Sequence, residues 1–294
     1  MVRLDVGETV AETYKTIFNR AIAGRFLPFL AVVWGVGAVV LLAPVGEEPA
    51  LVVRGVIGGV VTALVFLMFS VRWQRLAWYG EVMARPAALV PRRQDLRVLV
   101  YGVLVALILA LAVLAMFGAL SAVFVVLAGV SPIVGVFFGF VMQVGVMVAG
   151  AWLAMRLFLT FPAAAVDFGA PLLTSWRATR GAAGTVFLAA LLAALPVLGL
   201  MLVVNMGLGA VVGNVLAQAP PPEQVAGSGA PAFPVKAVVT RVGGLPLLAV
   251  VAGHSILQAI QVAVLASLQV GLLRRLAPGA GENSGAAATP DTGP

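Results

Sequence analysis

Cysteine is absent from this chain of 294 residues. That removes disulfides, thiolate metal sites and thiol nucleophiles together. Histidine occurs once, as His254, so a multi-histidine metal site cannot be built from one copy. Lysine is nearly missing, with Lys15 and Lys236 the two among 18 basic residues. Charged residues make up 10% of the chain, against about 25% in a soluble domain. The metalloprotease pattern H-E-x-x-H, the phosphate-binding G-x-x-x-x-G-K-[ST] and the serine elbow G-x-S-x-G do not occur. No acid lies inside an apolar run, and intramembrane acids are the usual mark of ion coupling. The expectation is a non-enzymatic protein with no cofactor and no metal.

What the chain has is apolar surface. Hydrophobic residues are 62% and the mean hydropathy is +1.11. A core of this size cannot hide that much from water, so the solvent for much of the chain is lipid. Six stretches approach the roughly 20 residues that cross a bilayer. They lie near 26–43, 55–71, 98–118, 133–158, 184–206 and 243–272. The expected fold class is therefore an all-α integral membrane protein, with residues 26–276 as its six-span domain. Ser131-Pro132 ends the third span, which extends up to about Leu127, and Pro162 ends the fourth.

The net charge of +7 belongs to topology and not to nucleic-acid binding. Fifteen basic residues fall in the N-terminal segment, the second and fourth connections and the C-terminus, against three (Arg54, Lys236, Arg241) on the other side. Positive charge stays on the inner face, so both termini are expected in the cytoplasm. An N-terminal segment with Asp5, Glu8 and Glu12 is unlike a signal peptide, so the first span is expected to be uncleaved. The Ala, Gly, Val, Arg and Pro excess with little Lys has the look of a high-GC bacterial genome, which places the chain in a bacterial inner membrane.

Three segments on the basic side alternate aromatic or aliphatic residues with charge. Residues 8–22, within an N-terminal region 1–25, put Val10, Tyr14, Ile17, Phe18 and Ala21 on one helical face. Residues 72–88 set Trp73, Leu76, Trp78 and Tyr79 among Arg72, Arg75 and Glu81, and residues 170–181 set Leu172, Leu173 and Trp176 beside Arg177 and Arg180. Such helices lie in the membrane interface. Three units of surface helix plus transmembrane hairpin would account for the layout. Residues 219–234 read as an unpacked outer loop and 277–294 as a disordered cytoplasmic tail.

Polar residues at apolar depth are few. His254, Gln258 and Gln261 form a stripe at i, i+4 and i+7 in the sixth stretch; Gln143 and Asn205 lie in the fourth and fifth. An unsatisfied amide in hydrocarbon is costly, so these face the bundle interior. They either join helices by hydrogen bonds or line a polar path between spans four to six. The pairs Gly55/Gly59, Gly135/Gly139 and Gly209/Gly213 are spaced for close helix contact.

The run Arg156, Pro162, Asp167, then Ser175, Trp176, Thr179 and Gly181 resembles a signature of the membrane domain found beside some bacterial glycerophosphodiester phosphodiesterases and in stand-alone six-span proteins. The run from Val71 through Arg72, Trp73, Gln74 and Arg75 to Gly80 and Glu81 looks like a V-x-W-H-R run of related membrane proteins, with Gln74 where histidine is usual. The resemblance implies a six-span inner-membrane protein with no assigned reaction, and no hydrolase barrel is present to carry over. From the residues themselves, Asp167 is expected to pair with Arg156, Arg177 or Arg180. Arg177 and Arg180, with Trp176 at headgroup depth, are expected to hold a lipid phosphate. Arg72 and Arg75 are candidates for the same role. Membrane lipids and other membrane proteins are the expected partners, and no oligomeric state follows from the residues.

Overall fold

In an apolar surrounding, backbone amides find no water and must bond one another, so long apolar runs become helices. The computed structural model describes residues 5–18, 27–42, 48–80, 90–217 and 244–277, and all regular structure among them is helical. In chain order the helices are α1 (Val6–Ile17), α2 (Leu27–Leu42), α3 (Glu48–Tyr79), α4 (Arg93–Val130), α5 (Pro132–Leu157), α6 (Thr160–Ala165), α7 (Pro171–Ala178), α8 (Ala183–Ala217) and α9 (Gly244–Leu276). Five stretches, in α3, α4, α5 with α6, α8 and α9, are long and apolar enough to cross a membrane; the apolar stretch of α2, Leu27–Val40, is shorter.

The apolar window of α9 is 61% buried, against 11% in α4 and α5. α9 is therefore the central helix, packed against α1, α2, α3, α6 and α8. Ala263, Val264, Leu268, Leu272 and Leu273 on it are all fully buried. The outward faces of α4, α5 and α8 carry exposed Leu, Val and Phe instead, among them Leu114, Phe137 and Val203. Exposed apolar residues on that scale suit a hydrocarbon surrounding.

Several boundaries differ from the sequence expectation. α3 does not stop near residue 71 but runs on to Tyr79. Residues 72–79 thus belong to the bundle core and are no separate surface helix: Trp73 is 2% exposed and Gln74 1%. Gly80 ends α3 with φ +70 and donates its N–H to Leu76 O at 2.9 Å, the left-handed closure glycine permits. α4 continues to Val130, and Ser131-Pro132 restarts the chain as α5. Pro162 does not end α5, which closes at Leu157; it sits in the first turn of α6, where a missing N–H is tolerated.

α1 also differs. Asp5 caps it, accepting from Glu8 N at 3.0 Å. Its buried residues are Thr9, Thr13 and Ile17, while Phe18 is 71% exposed. The threonine hydroxyls donate to Asp5 O and Thr9 O within the helix, which lets them face α8 and α9 without loss. α1 therefore docks on the bundle. Arg275 of α9 holds it through Glu12 at 2.8 Å and Glu8 at 3.3 Å. Ala21, Arg3, Arg20, Arg25, Glu81, Arg85, the loop 219–234 and the tail beyond residue 277 lie outside the described residues.

Candidate functional site

The two sequence runs that stood out, 71–81 and 156–181, meet at one end of the bundle. α3 brings four consecutive polar or aromatic side chains there, each to a different partner. Arg72 is 7% exposed and Asp95 5%. Arg72 donates to Asp95 Oδ1 at 2.8 Å and Oδ2 at 2.6 Å, and to Val90 O at 2.9 Å. Asp95 Oδ2 also accepts the Arg92 backbone N–H at 2.6 Å, so one carboxylate neutralises a guanidinium and closes the start of α4. Trp73 Nε1 donates to Ser267 Oγ at 2.7 Å. Gln74 Nε2 donates to Gln269 Oε1 at 2.8 Å, and Gln269 Nε2 in turn to Phe158 O at 3.1 Å. That carbonyl is the one Pro162, four residues later, cannot bond. Gln74, at the histidine position of the resembling run, thus begins a relay that repairs a proline break.

The end of α5 is closed by the serine-tryptophan run. Ser175 Oγ donates to Arg156 O at 2.8 Å and accepts from Leu159 N at 3.1 Å. Thr179 Oγ1 reaches the same carbonyl at 3.2 Å. Arg156 itself is 8% exposed. Its guanidinium lies 4.4 Å from the Trp176 ring centroid and 5.4 Å from that of Trp152, and donates to Trp176 O at 3.2 Å. The two indoles meet edge to face at 5.9 Å.

Asp167 does not pair with Arg156, Arg177 or Arg180. Its partners come from the second connection: Arg97 Nη1 at 2.9 Å and Arg75 Nη1 at 3.3 Å. The chain turns sharply there, with Asp167 at φ +60, and this carries the carboxylate away from α7. Arg75, Tyr79 and Arg97 also cap the carbonyls after α6, reaching Ala165 O, Val166 O and Phe168 O at 3.1, 2.9 and 2.6 Å. Arg274 does the same for α3, bonding Ala77 O and Trp78 O at 2.7 and 2.5 Å. Tyr14 of α1 donates to Ala193 O at 2.7 Å, and burial pushes its phenol above the ordinary value.

Arg72, Arg75, Arg156 and Asp167 are thus held by protein groups in this layer, the arginines donating to Asp95, Asp167 or backbone carbonyls and Asp167 accepting from Arg75 and Arg97. Arg177 and Arg180 are different. Both are exposed, and neither makes an ion pair among the described residues. Leu173 and Trp176 beside them are 47% and 38% exposed. Asp95, Arg97, Ser267, Gln269 and Arg274 are site residues the sequence reading did not select. Asp95 alone carried a local signal, an acid three residues into a helix start.

The polar stripe separates. Gln258 Nε2 donates to His254 Nε2 at 3.1 Å along α9, and these two share a cavity of about 390 Å³ with Asn205, Ser255 and Thr62. Its other walls are α2 and α3; the fifth span contributes Asn205 and the fourth span none of the described lining residues. Gln261 does not line it, and Gln143 lies apart with Ser121 in a cavity of about 200 Å³ between α4 and α5. Of the glycine pairs, Gly139 meets Phe124 closely, its added Cβ falling 3.3 Å away. A Cβ added at Gly55 or Gly59 would meet nothing within 4 Å, whereas one at Gly58 would fall 2.9 Å from the Val40 side chain of α2. Gly209 and Gly213 lie where side-chain surroundings are not described. Among the described residues no cluster of three or more metal-ligating side chains occurs.

Compared with protein-family models, curated proteins and solved structures, the chain matches none.

Proposed function

We propose that this is a non-enzymatic, six-span protein of a bacterial inner membrane, both termini cytoplasmic, that docks anionic lipid headgroups through α7. α2 supplies the sixth span beside the five longer ones, and the arginine-rich layer faces the cytoplasm. The resemblance of the 156–181 run to stand-alone six-span membrane domains agrees with this reading.

One observation carries it. α7 and the turn after it expose Leu173, Arg177, Arg180 and part of Trp176, while Ser175, Thr179 and the Arg156–Trp176 stack fix the segment to the bundle. Exposed apolar residues beside two unpaired guanidinia, on a rigid mount, suit a phosphate-bearing interface. Surface arginines near anionic lipid contribute about 1 kcal/mol each, so two give a roughly thirty-fold preference. Arg177→Gln with Arg180→Gln should strip co-purifying phosphatidylglycerol and cardiolipin in native mass spectrometry while phosphatidylethanolamine stays. Unchanged anionic-lipid occupancy refutes the assignment.

A transport role along the polar stripe finds less support. His254 and Gln258 share their cavity with Asn205 of the fifth span, but its other walls are α2 and α3, and Gln143 of the fourth span lies in a separate cavity.

A further inference from the structure

About 30 Å along α9 from Arg274, at 1.5 Å per residue to His254, the packing opens. The cause is in α3. Gly58 faces Val40 of α2 so closely that an added Cβ would fall 2.9 Å from it, and the flanking Gly55 and Gly59 border space that no side chain fills among the described residues. The resulting cavity of about 390 Å³ is within the usual range for small-molecule sites, about 300–1,000 Å³. Its walls are valines and glycines, interrupted by His254, Gln258, Asn205, Thr62 and Ser255.

Those polar groups are incompletely used. Ser255 Oγ accepts from Trp34 Nε1 at 2.8 Å and donates to Ala252 O at 2.8 Å. Gln258 Nε2 lies 3.1 Å from His254 Nε2. Asn205, Thr62 and the Gln258 carbonyl have no hydrogen bond among the described residues. Polar groups at apolar depth are costly when unpaired. Among the described residues no carboxylate, lysine or arginine lines this cavity, so a charged group entering it would lose hydration without compensation from them. An adjoining apolar cavity of about 440 Å³ shares Val36, Val40 and Gly58 with it and runs past Ile57 towards Arg54.

We propose that this cavity binds an uncharged amphiphile, its hydroxyl or carbonyl head among His254, Gln258 and Asn205 and its apolar chain along the α2–α3 groove. The chemistry is that of a glyceride or of a quinone ring. The site is separate from α7 and does not depend on its lipid docking.

The test uses the full chain in phosphatidylcholine nanodiscs with three probes: 1-monoolein, a decyl-substituted benzoquinone, and oleate. Native mass spectrometry should show one equivalent of monoolein or the quinone retained, and oleate lost. Retention of monoolein alone identifies a glyceride head, and of the quinone alone ring carbonyls. Gly55→Leu and Gly59→Leu fill the cavity and should abolish retention; Gln258→Leu removes a hydrogen-bonding group and should weaken it about ten-fold. Gly55→Ala is a milder filling variant should the leucines prevent folding. Arg177→Gln with Arg180→Gln should leave retention unchanged. Loss of both neutral probes from the wild-type chain, equal retention of oleate, or retention unaffected by filling overturns the proposal.

Discussion

Replacing Asp95 by asparagine tests whether the arginine layer is a structural lock. The side chain keeps its shape, but its charge and one acceptor are lost. Arg72 then stays 7% exposed with no counter-charge facing it at 2.6–2.8 Å. Removing one partner of a buried ion pair costs about 3–5 kcal/mol, because the remaining charge is stranded. Weakening the bond to Arg92 N costs about 1 kcal/mol more, the size of a capping contact. Arg72→Met alone should be damaging as well, leaving Asp95 buried and unpaired. Together, Arg72→Met and Asp95→Leu should recover much of the loss, since a buried pair is often replaceable by apolar residues of similar volume. The assay is a double-mutant cycle by detergent-induced unfolding, with exposed Arg180→Gln as the reference. A coupling above about 2 kcal/mol supports the lock. An Asp95→Asn effect within about 0.5 kcal/mol of the Arg180→Gln effect, the range of ordinary surface changes, refutes it.

The remaining predictions concern helix ends. Ser175→Ala removes the hydroxyl that serves both Arg156 O and Leu159 N. It should destabilise by about 1–3 kcal/mol and raise proteolytic nicking between residues 158 and 181, whereas Thr179→Ala, whose carbonyl partner keeps Ser175, should cost less. Tyr14 has its phenol pKa raised by burial, so its neutral form stabilises the fold fully below the unfolded value of about 10 and this is lost as pH rises through the folded value. Wild-type stability should fall above about pH 10 more steeply than that of Tyr14→Phe in thermal unfolding; parallel profiles count against the Ala193 contact.

The five long apolar helices were legible because hydropathy is a property of a window, and windows survive errors in rotation and register; the first stretch yields only the shorter α2. Their ends were less so. Pro162 reads as a stop in isolation, yet the chain breaks four residues earlier and restarts, because Gln269 supplies the donor for Phe158 O from 111 residues away. Residues 72–79 read as an interfacial helix because arginine beside tryptophan is the pattern of one. Their partners, Asp95, Ser267 and Gln269, stand 23 to 195 residues along the chain, and nothing local marks them. Asp167 was assigned neighbours from its own run, but its left-handed turn aims it at Arg75 and Arg97. The glycine spacing pointed to close helix contact at Gly55 and Gly59, but the close approach to α2 falls at Gly58, and the 55/59 pair borders space. A spacing rule fixes a helix face only when the helix rotation is known.

The concentration of arginine at one end has a second cause besides topology. α3, α5 and α6 all terminate there, and each terminus leaves carbonyl oxygens that a helix cannot satisfy itself. Water is excluded from much of this layer, as the 0–8% exposure of Leu159, Gln74, Asp95 and Arg156 shows. Long donors with a charge suited to helix C-termini are the direct solution. Arg274 closes α3, Arg75 and Tyr79 close α6 while Arg97 holds the turn after it at Phe168 O, and the hydroxyls of Ser175 and Thr179 close α5. A count of positive residues therefore overstates the charge this face offers to lipid. Arg92, Arg93, Arg177 and Arg180 are exposed and make no ion pair among the described residues. Affinity for anionic membranes should follow those four guanidinia and be insensitive to the arginines spent on carbonyls, provided the fold is intact.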